Sequence, residues 1–311
     1  GHSSSPLAGD LKTLDTLKQL RENILDSDLS QIDKIFHLIS IAKKYGTRPF
    51  AGAARAAFIA VQILDSLEKI EVFPQKQLSD FFCSLSTVMT ELSNDSFNLD
   101  PKCFIDKYGH LRPSTYDICS PSYKERNILT KRTKTIVRKN ELYLSQQTIK
   151  GIENVFESCN WPYRLSDTLY QCRVMIESRE RLKFEFSRII DDIFFLLISL
   201  GERYQISRED LAHLDLNLIL SFKNNFSGHI LYDEIMGNIS KNKLNYRRTL
   251  AVRMPSLIIS SSDIFGYEIF DEMPNYVTMK KAIGRVVLIE SKDNMEVTGA
   301  IVAIESADPG Y

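Results

Sequence analysis

A chain of 311 residues is long enough for one large domain or two smaller ones, and 43% hydrophobic with 25% charged residues is ordinary for a soluble globular protein. The formal net charge of −1 supplies no global field for nucleic acid or an anionic membrane, so any anion binding is local. The five cysteines, at 83, 103, 119, 159 and 172, form no CxxC pair and no metal-ligand spacing, which predicts reduced thiols in a cytoplasmic protein, used as small core residues.

No uninterrupted apolar run approaches the roughly 18–20 residues of a membrane span. The opening GHSSSPLAGD has no basic region ahead of an apolar stretch, so residues 1–10 read as a tag remnant or flexible lead-in rather than a signal peptide. Leu11, Leu14, Leu17, Leu20 and Ile24 then recur at helical spacing. Ser30 with Asp33 predicts the cap of a second helix, burying Ile32, Ile35, Phe36 and Ile39 and stopping at Gly46. Pro49 opens FAGAARAAFIAVQIL, apolar or small nearly all round, which predicts a helix buried on most faces. From Pro74, Leu78, Phe81, Phe82, Leu85, Val88, Met89 and Leu92 form one amphipathic stripe.

YGHLRPSTYDICSPSY, residues 108–123, breaks the helical pattern and predicts an ordered loop. Residues 124–139 carry seven cations against Glu125 alone; without interleaved aromatic residues they read as a solvated face rather than a nucleic-acid track. A long helix is predicted from Ser166 to about Leu200, and Ser207 with Asp210 marks another cap. After about residue 250 the runs LIIS, KKAIGRVVLIES and TGAIVAIES predict short strands. The fold class is therefore mainly α: a helical domain over 11–249, then a partial β-rich (α/β) segment over 250–311.

Three constellations carry polar chemistry. In GTRPFAGAARAAF, Arg55 lies on the helix face that Gln62 shares, and Gly52 leaves room for a close approach. A cation buried there requires a partner, either a carboxylate of the domain or an anionic ligand. In GHLRPSTYD, His110, Arg112, Thr115, Tyr116 and Asp117 gather an acid–base group, a bidentate anion binder and hydroxyls on one loop, although a surface turn capping nearby helices is the simpler account. In the long helix, Arg179 interrupts the apolar stripe and Lys183 follows one turn on, with Glu177 and Glu180 available as internal partners. There is no P-loop, GxGxxG, HExxH or GxSxG, and no histidine sits in a Ser/Gly-rich turn at a helix start.

YGTRPFAGAARAAFIAVQIL, YGHLRPSTYDICSPSY, IESRERLKFEFSR and PNYVTMKKAIGRVVLIE with GAIVAIESADPGY occur in that order. Together they resemble the central part of the phosphoenolpyruvate synthase and pyruvate phosphate dikinase family, and within it the L-glutamine kinases of bacterial capsule phosphoramidate biosynthesis. The resemblance implies a parent enzyme in which an ATP-grasp domain, using ATP and Mg2+, phosphorylates a histidine on a swivelling domain. That domain carries the phosphoryl group to the amide nitrogen of L-glutamine, with AMP and phosphate as the other products. The ATP-grasp part is expected before residue 11 and the phosphohistidine motif after Tyr311, so 250–311 would begin the swivelling domain. On this reading the present chain holds no catalytic residue, no metal site and no bound cofactor, and is inactive alone.

The resemblance assigns substrate binding to Arg55, His110, Arg112, Thr115, Tyr116, Arg179, Glu180 and Lys183, the cations serving a substrate carboxylate or the phosphoryl group. Arg112→Ala is then expected to abolish acceptor binding in a folded protein. Ser114 and Ala57 replace usual glycines, and Arg48 a usual apolar residue. Two other functions fit the sequence: a related phosphotransferase acting on pyruvate, phosphoenolpyruvate or another small acceptor, and a non-catalytic helical binding module.

Overall fold

Twelve helices and two short strands organise the described part of the chain in a computed structural model, which describes residues 6–126, 142–222, 228–252, 254, 258–266, 281–288 and 297–304. The chain is mainly α, as its periodicity predicts. Helix α1 spans Pro6–Leu25, so the helical register begins inside the segment expected to be a lead-in. Ser30 caps α2 (Gln31–Ile41) by accepting from the Asp33 N–H at 3.1 Å.

The predicted stop at Gly46 does not occur. The chain passes through a π-helical turn, Ala42–Thr47, straight into α3 (Arg48–Lys69). A proline inside a helix lacks an N–H and crowds the preceding turn, and the wider π turn ahead of Pro49 accommodates both defects. Gly46 serves packing rather than termination. A Cβ there would lie 2.6 Å from Cδ2 of Phe186, so glycine lets that ring reach the π turn. The joined helix Gln31–Lys69 is long and apolar enough to cross a membrane by length and composition alone, and it supplies Ile35, Leu38, Ala53, Ala60 and Leu64 to the core.

The stripe after Pro74 forms two helices, α4 (Gln75–Cys83) and α5 (Val88–Asn98), because Thr87 and Thr90 build a reciprocal capping box between them. Helix α6 (Pro101–Tyr108) leads into the loop 109–122, which ends at the short α7 (Tyr123–Arg126). Helices α8 (Gln146–Ser158) and α9 (Leu165–Arg203) follow. At 39 residues α9 is roughly 58 Å long.

Three apolar clusters lie along α9. Its first turns pack Leu165 and Cys172 with Ala60, Leu64, Phe73, Phe81 and Ile152. Phe184 joins Phe104, Tyr108, Leu111 and Tyr123. Leu182, Phe186, Ile189 and Ile193 meet the inner faces of α1 and α2. Ser207 caps α10 (Arg208–Leu211) as expected, and α11 (Leu216–Ser221) and α12 (Gly228–Thr249) bring Ile219, Ile235 and Ile239 to the same cluster.

Strands β1 (Val286–Leu288) and β2 (Ile301–Ala303) pair in parallel, with Val287 opposite Val302. Residues 258–260 of the predicted LIIS strand precede a 3-10 turn at Ser261–Ile264 and are not a strand. The basic residues 127–139, Asp293–Asn294 and the ADPGY end lie outside the described residues.

Candidate functional site

Three segments distant in sequence, 45–64, 108–123 and 176–188, meet around Phe186. Its ring stacks on Phe50 of α3 with centroids 6.2 Å apart, faces Tyr116 of the 109–122 loop at 6.5 Å, and occupies the space above Gly46. Two turns earlier on α9, the Arg179 guanidinium lies over the Phe58 ring at 5.7 Å. These contacts fix α3 and α9 antiparallel: Phe50 is level with Phe186, and Phe58 with Arg179.

The loop is ordered, as predicted, but it is no surface turn. His110, Leu111, Arg112, Thr115, Ile118, Ser120 and Ser122 are all buried. Arg112, 4% exposed, donates to the Asp191 carboxylate and, at 3.0 Å, to the Ser120 carbonyl, while its guanidinium lies 4.9 Å from the Phe194 ring centroid. The Ser114 N–H donates to Ser120 Oγ at 3.2 Å, closing the loop on itself. Burial pushes the Asp191 carboxyl up to about 6, against the pull of Arg112, with Asp192 and Glu125 adding to the rise.

His110 lies edge-on to Phe184, ring centroids 4.7 Å apart. Neither of its ring nitrogens has a hydrogen bond of normal geometry. Burial, reinforced by the charges of Arg188, Arg21 and Arg112, pushes the imidazole down to about 3 against a weaker pull from the Phe184 backbone. The ring is therefore neutral at physiological pH.

Ion pairs from α9 hold this arrangement in place. Arg21 grips Asp192 through both Nε and Nη2, and Lys18 meets Glu185 at 3.0 Å, tying α1 to α9. Arg188 donates to the Asp106 and Lys107 carbonyls at 3.2 and 2.8 Å, closing the C-terminal end of α6 just before the loop begins.

The remaining candidates occupy a more open rim. Arg55 is exposed, which corrects the expectation of a buried cation. Alanine-rich segments do not mark a buried face by themselves, and α3 turns Phe58 and Ile59, 61% and 58% exposed, outward with Arg55 and Gln62. The space above Gly52 is taken by Asp10 of α1, whose Oδ2 would lie 2.6 Å from a Cβ there. Burial raises the Asp10 carboxyl while Arg48 and Arg55 oppose the rise.

On α9, Arg179 meets Glu180 at 3.6 Å, and its buried Nε has no partner. Glu177 is not available to this pair, because it accepts the Ser86 N–H at 2.7 Å and faces Arg173. Lys183 is half-buried one turn beyond Arg179 on the same face. Tyr116, 61% exposed, is the outward-facing member of the loop, and Thr115 lies buried beside it.

The eight candidates thus divide into a buried set, His110, Arg112 and Thr115, and a rim, Arg55, Tyr116, Arg179, Glu180 and Lys183. Asp191, Phe186 and Phe58 are the organising residues that sequence reasoning missed. The Asp191–Asp192 doublet inside an apolar stripe was the available signal, since a carboxylate there requires a cation. Among the described residues no group of three or more His, Cys, Asp or Glu side chains is arranged to hold a metal ion. No protein-family model, no curated protein and no solved structure matches the chain.

Proposed function

We propose that this chain is the acceptor-binding helical part of an ATP-dependent, dikinase-type phosphotransferase, with L-glutamine as the acceptor. The observation that carries the reading is the convergence of three segments, distant in sequence, on one α3–loop–α9 unit around Phe186. These are the segments whose motifs resemble the dikinase family, and they bring together cations and aromatic rings that composition alone does not explain.

Phosphoryl transfer asks a protein for positioning and electrostatic stabilisation more than for covalent chemistry. The rim cations Arg55, Arg179 and Lys183 would hold the acceptor and offset negative charge arriving with the phosphoryl group. The Arg112–Asp191 pair would hold the loop that presents Tyr116. His110, neutral and with both nitrogens buried, would shape the loop rather than carry a phosphoryl group. ATP and Mg2+ belong to the parent enzyme's ATP-grasp domain in this reading, and no step is assigned to a metal on this chain. The parent would act in the cytoplasm, and this part alone would bind the acceptor without turning it over.

Titration calorimetry of the 311-residue chain with L-glutamine, with pyruvate and L-glutamate as comparisons, tests the proposal. Saturable binding selective for L-glutamine is the expected result. Preference for pyruvate would replace the acceptor with a keto acid, and no binding of any of the three would remove the acceptor-binding role from this chain.

A further inference from the structure

Charged groups of both signs lie side by side on the rim. Arg179 and Glu180 are neighbours on α9, with Nη1 and Oε1 3.6 Å apart, too long for a tight ion pair. The Nε–H edge of the same guanidinium, the edge used for bidentate carboxylate binding, is buried without a partner. A buried donor left unsatisfied is costly, because it has given up water without gaining a partner.

Phe58 lies against the guanidinium at 5.7 Å and is 61% exposed, so it is not fixed in the core. Arg55 sits three residues before Phe58 on α3, about 4.5 Å along the axis. The antiparallel pairing of α3 with α9 sets it between the levels of Arg179 and Phe186. Arg55 therefore lies level with the Arg179–Glu180 turn of α9, and it also acts on the Asp10 carboxylate of α1.

We infer that Arg179 and Glu180 form a clamp for the backbone of a free α-amino acid: Arg179, assisted by Arg55, receives the α-carboxylate, and Glu180 accepts from the α-ammonium. The inference rests on the acceptor-binding reading above and deepens it by naming the charge pattern that the site selects. The two charges of an α-amino acid are joined through one carbon, which suits adjacent side chains of opposite sign. A keto acid satisfies Arg179 but leaves Glu180 facing a neutral carbonyl. A phosphate group alone is repelled by Glu180. The side chain of the amino acid then projects away from α9, leaving its end group for the chemistry.

Titration calorimetry with three ligands and three proteins tests the clamp. The ligands are L-glutamine, its des-amino analogue 4-carbamoylbutanoate, and the analogue with an α-carboxamide in place of the α-carboxylate. The proteins are the native chain, Glu180→Gln and Arg179→Gln, each checked for retained helicity by circular dichroism. Glu180→Gln is expected to weaken L-glutamine about tenfold or more, as loss of a charge-assisted hydrogen bond does, and to leave the des-amino analogue unchanged. Arg179→Gln is expected to weaken L-glutamine and the des-amino analogue alike and to leave the α-carboxamide analogue unchanged.

Binding of L-glutamine that is indifferent to Glu180→Gln, or an equal loss for L-glutamine and its des-amino analogue, overturns the clamp while leaving the glutamine reading intact. Binding of a different L-amino acid with the expected dependence on both residues supports the clamp and overturns glutamine as the acceptor. Failure of the native chain to bind L-glutamine, L-glutamate, L-alanine or glycine overturns both.

Discussion

Replacing Arg112 by alanine separates a residue that holds the loop from one that only contacts ligand. Arg112 is 4% exposed and is engaged by Asp191, the Ser120 carbonyl and the Phe194 ring. Removing it leaves Asp191, itself largely buried, without its cation, and breaking a buried pair from one side costs about 3–5 kcal/mol. The loss depends on pH. The Asp191 carboxyl titrates at about 6 in the fold, against about 3.9 in an unfolded chain, so between these values the folded state binds more protons and stability falls as pH rises.

The two-unit difference amounts to roughly 3 kcal/mol, absent below about pH 4 and fully felt above about pH 6. Without Arg112 the opposing pull is gone, the folded carboxyl rises further, and the unfavourable slope extends to higher pH. Arg112→Ala is therefore expected to lose about 3–5 kcal/mol at pH 8 and distinctly less at pH 5, where part of the Asp191 population is already protonated. Urea unfolding followed by far-ultraviolet circular dichroism at both pH values measures this. Asp191→Asn and the double variant give the coupling energy. A loss under about 1 kcal/mol at pH 8, or an equal loss at both pH values, would refute the reasoning and return Arg112 to the group of ligand-facing cations.

His110→Leu should make the protein more resistant to acid. The imidazole is held at about 3, below its ordinary value, so the folded state binds fewer protons than the unfolded one between about pH 3 and 6.5; the stability contributed above that window is lost on acidification. The variant's acid-unfolding midpoint should move to lower pH, and an unchanged midpoint would show that His110 is not buried neutral. Gly46→Ala should cost about 1–3 kcal/mol, because the added Cβ meets the Phe186 ring at 2.6 Å, and full stability would show that the ring does not enter the π turn. A disulfide reagent should modify exposed Cys83 and Cys159 quickly, and should spare Cys172, where burial pushes the thiol up to about 11; mass spectrometry of the labelled peptides resolves the sites.

The local signals were legible because they act over a few residues. Ser30 with Asp33 and Ser207 with Asp210 are caps in the structure as in the sequence, and the Gly, Pro and hydroxyl content of 108–123 marks an ordered loop. The misreadings arise where a distant partner decides. Gly46 looks like a helix stop until Phe186 is seen above it, and Gly52 looks like room for a ligand until Asp10 of α1 is seen there. The stripe from Leu78 to Leu92 keeps helical spacing across Ser84–Thr87, and only the Thr87–Thr90 hydrogen bonds reveal the break. Three of the five cysteines, expected to be small core residues, are exposed; only Cys172 is fully buried.

The candidate site was legible in residue type but not in role. Sequence alone cannot separate the cations that are neutralised within the fold from those left for a ligand. Arg112, Arg21 and Arg188 each meet carboxylates or carbonyls across helices, and those contacts determine where the 109–122 loop lies. Arg55 acts on Asp10, and Arg179 meets Glu180 at 3.6 Å, too long for a tight pair. A cation that already has its partners cannot also bind an acceptor without breaking a buried contact costing about 3–5 kcal/mol, whereas Arg179 would give up a long contact with Glu180. Acceptor specificity should therefore vary with α3 and the Arg179–Lys183 turn of α9, while the loop and its Asp191 anchor should tolerate change only in pairs.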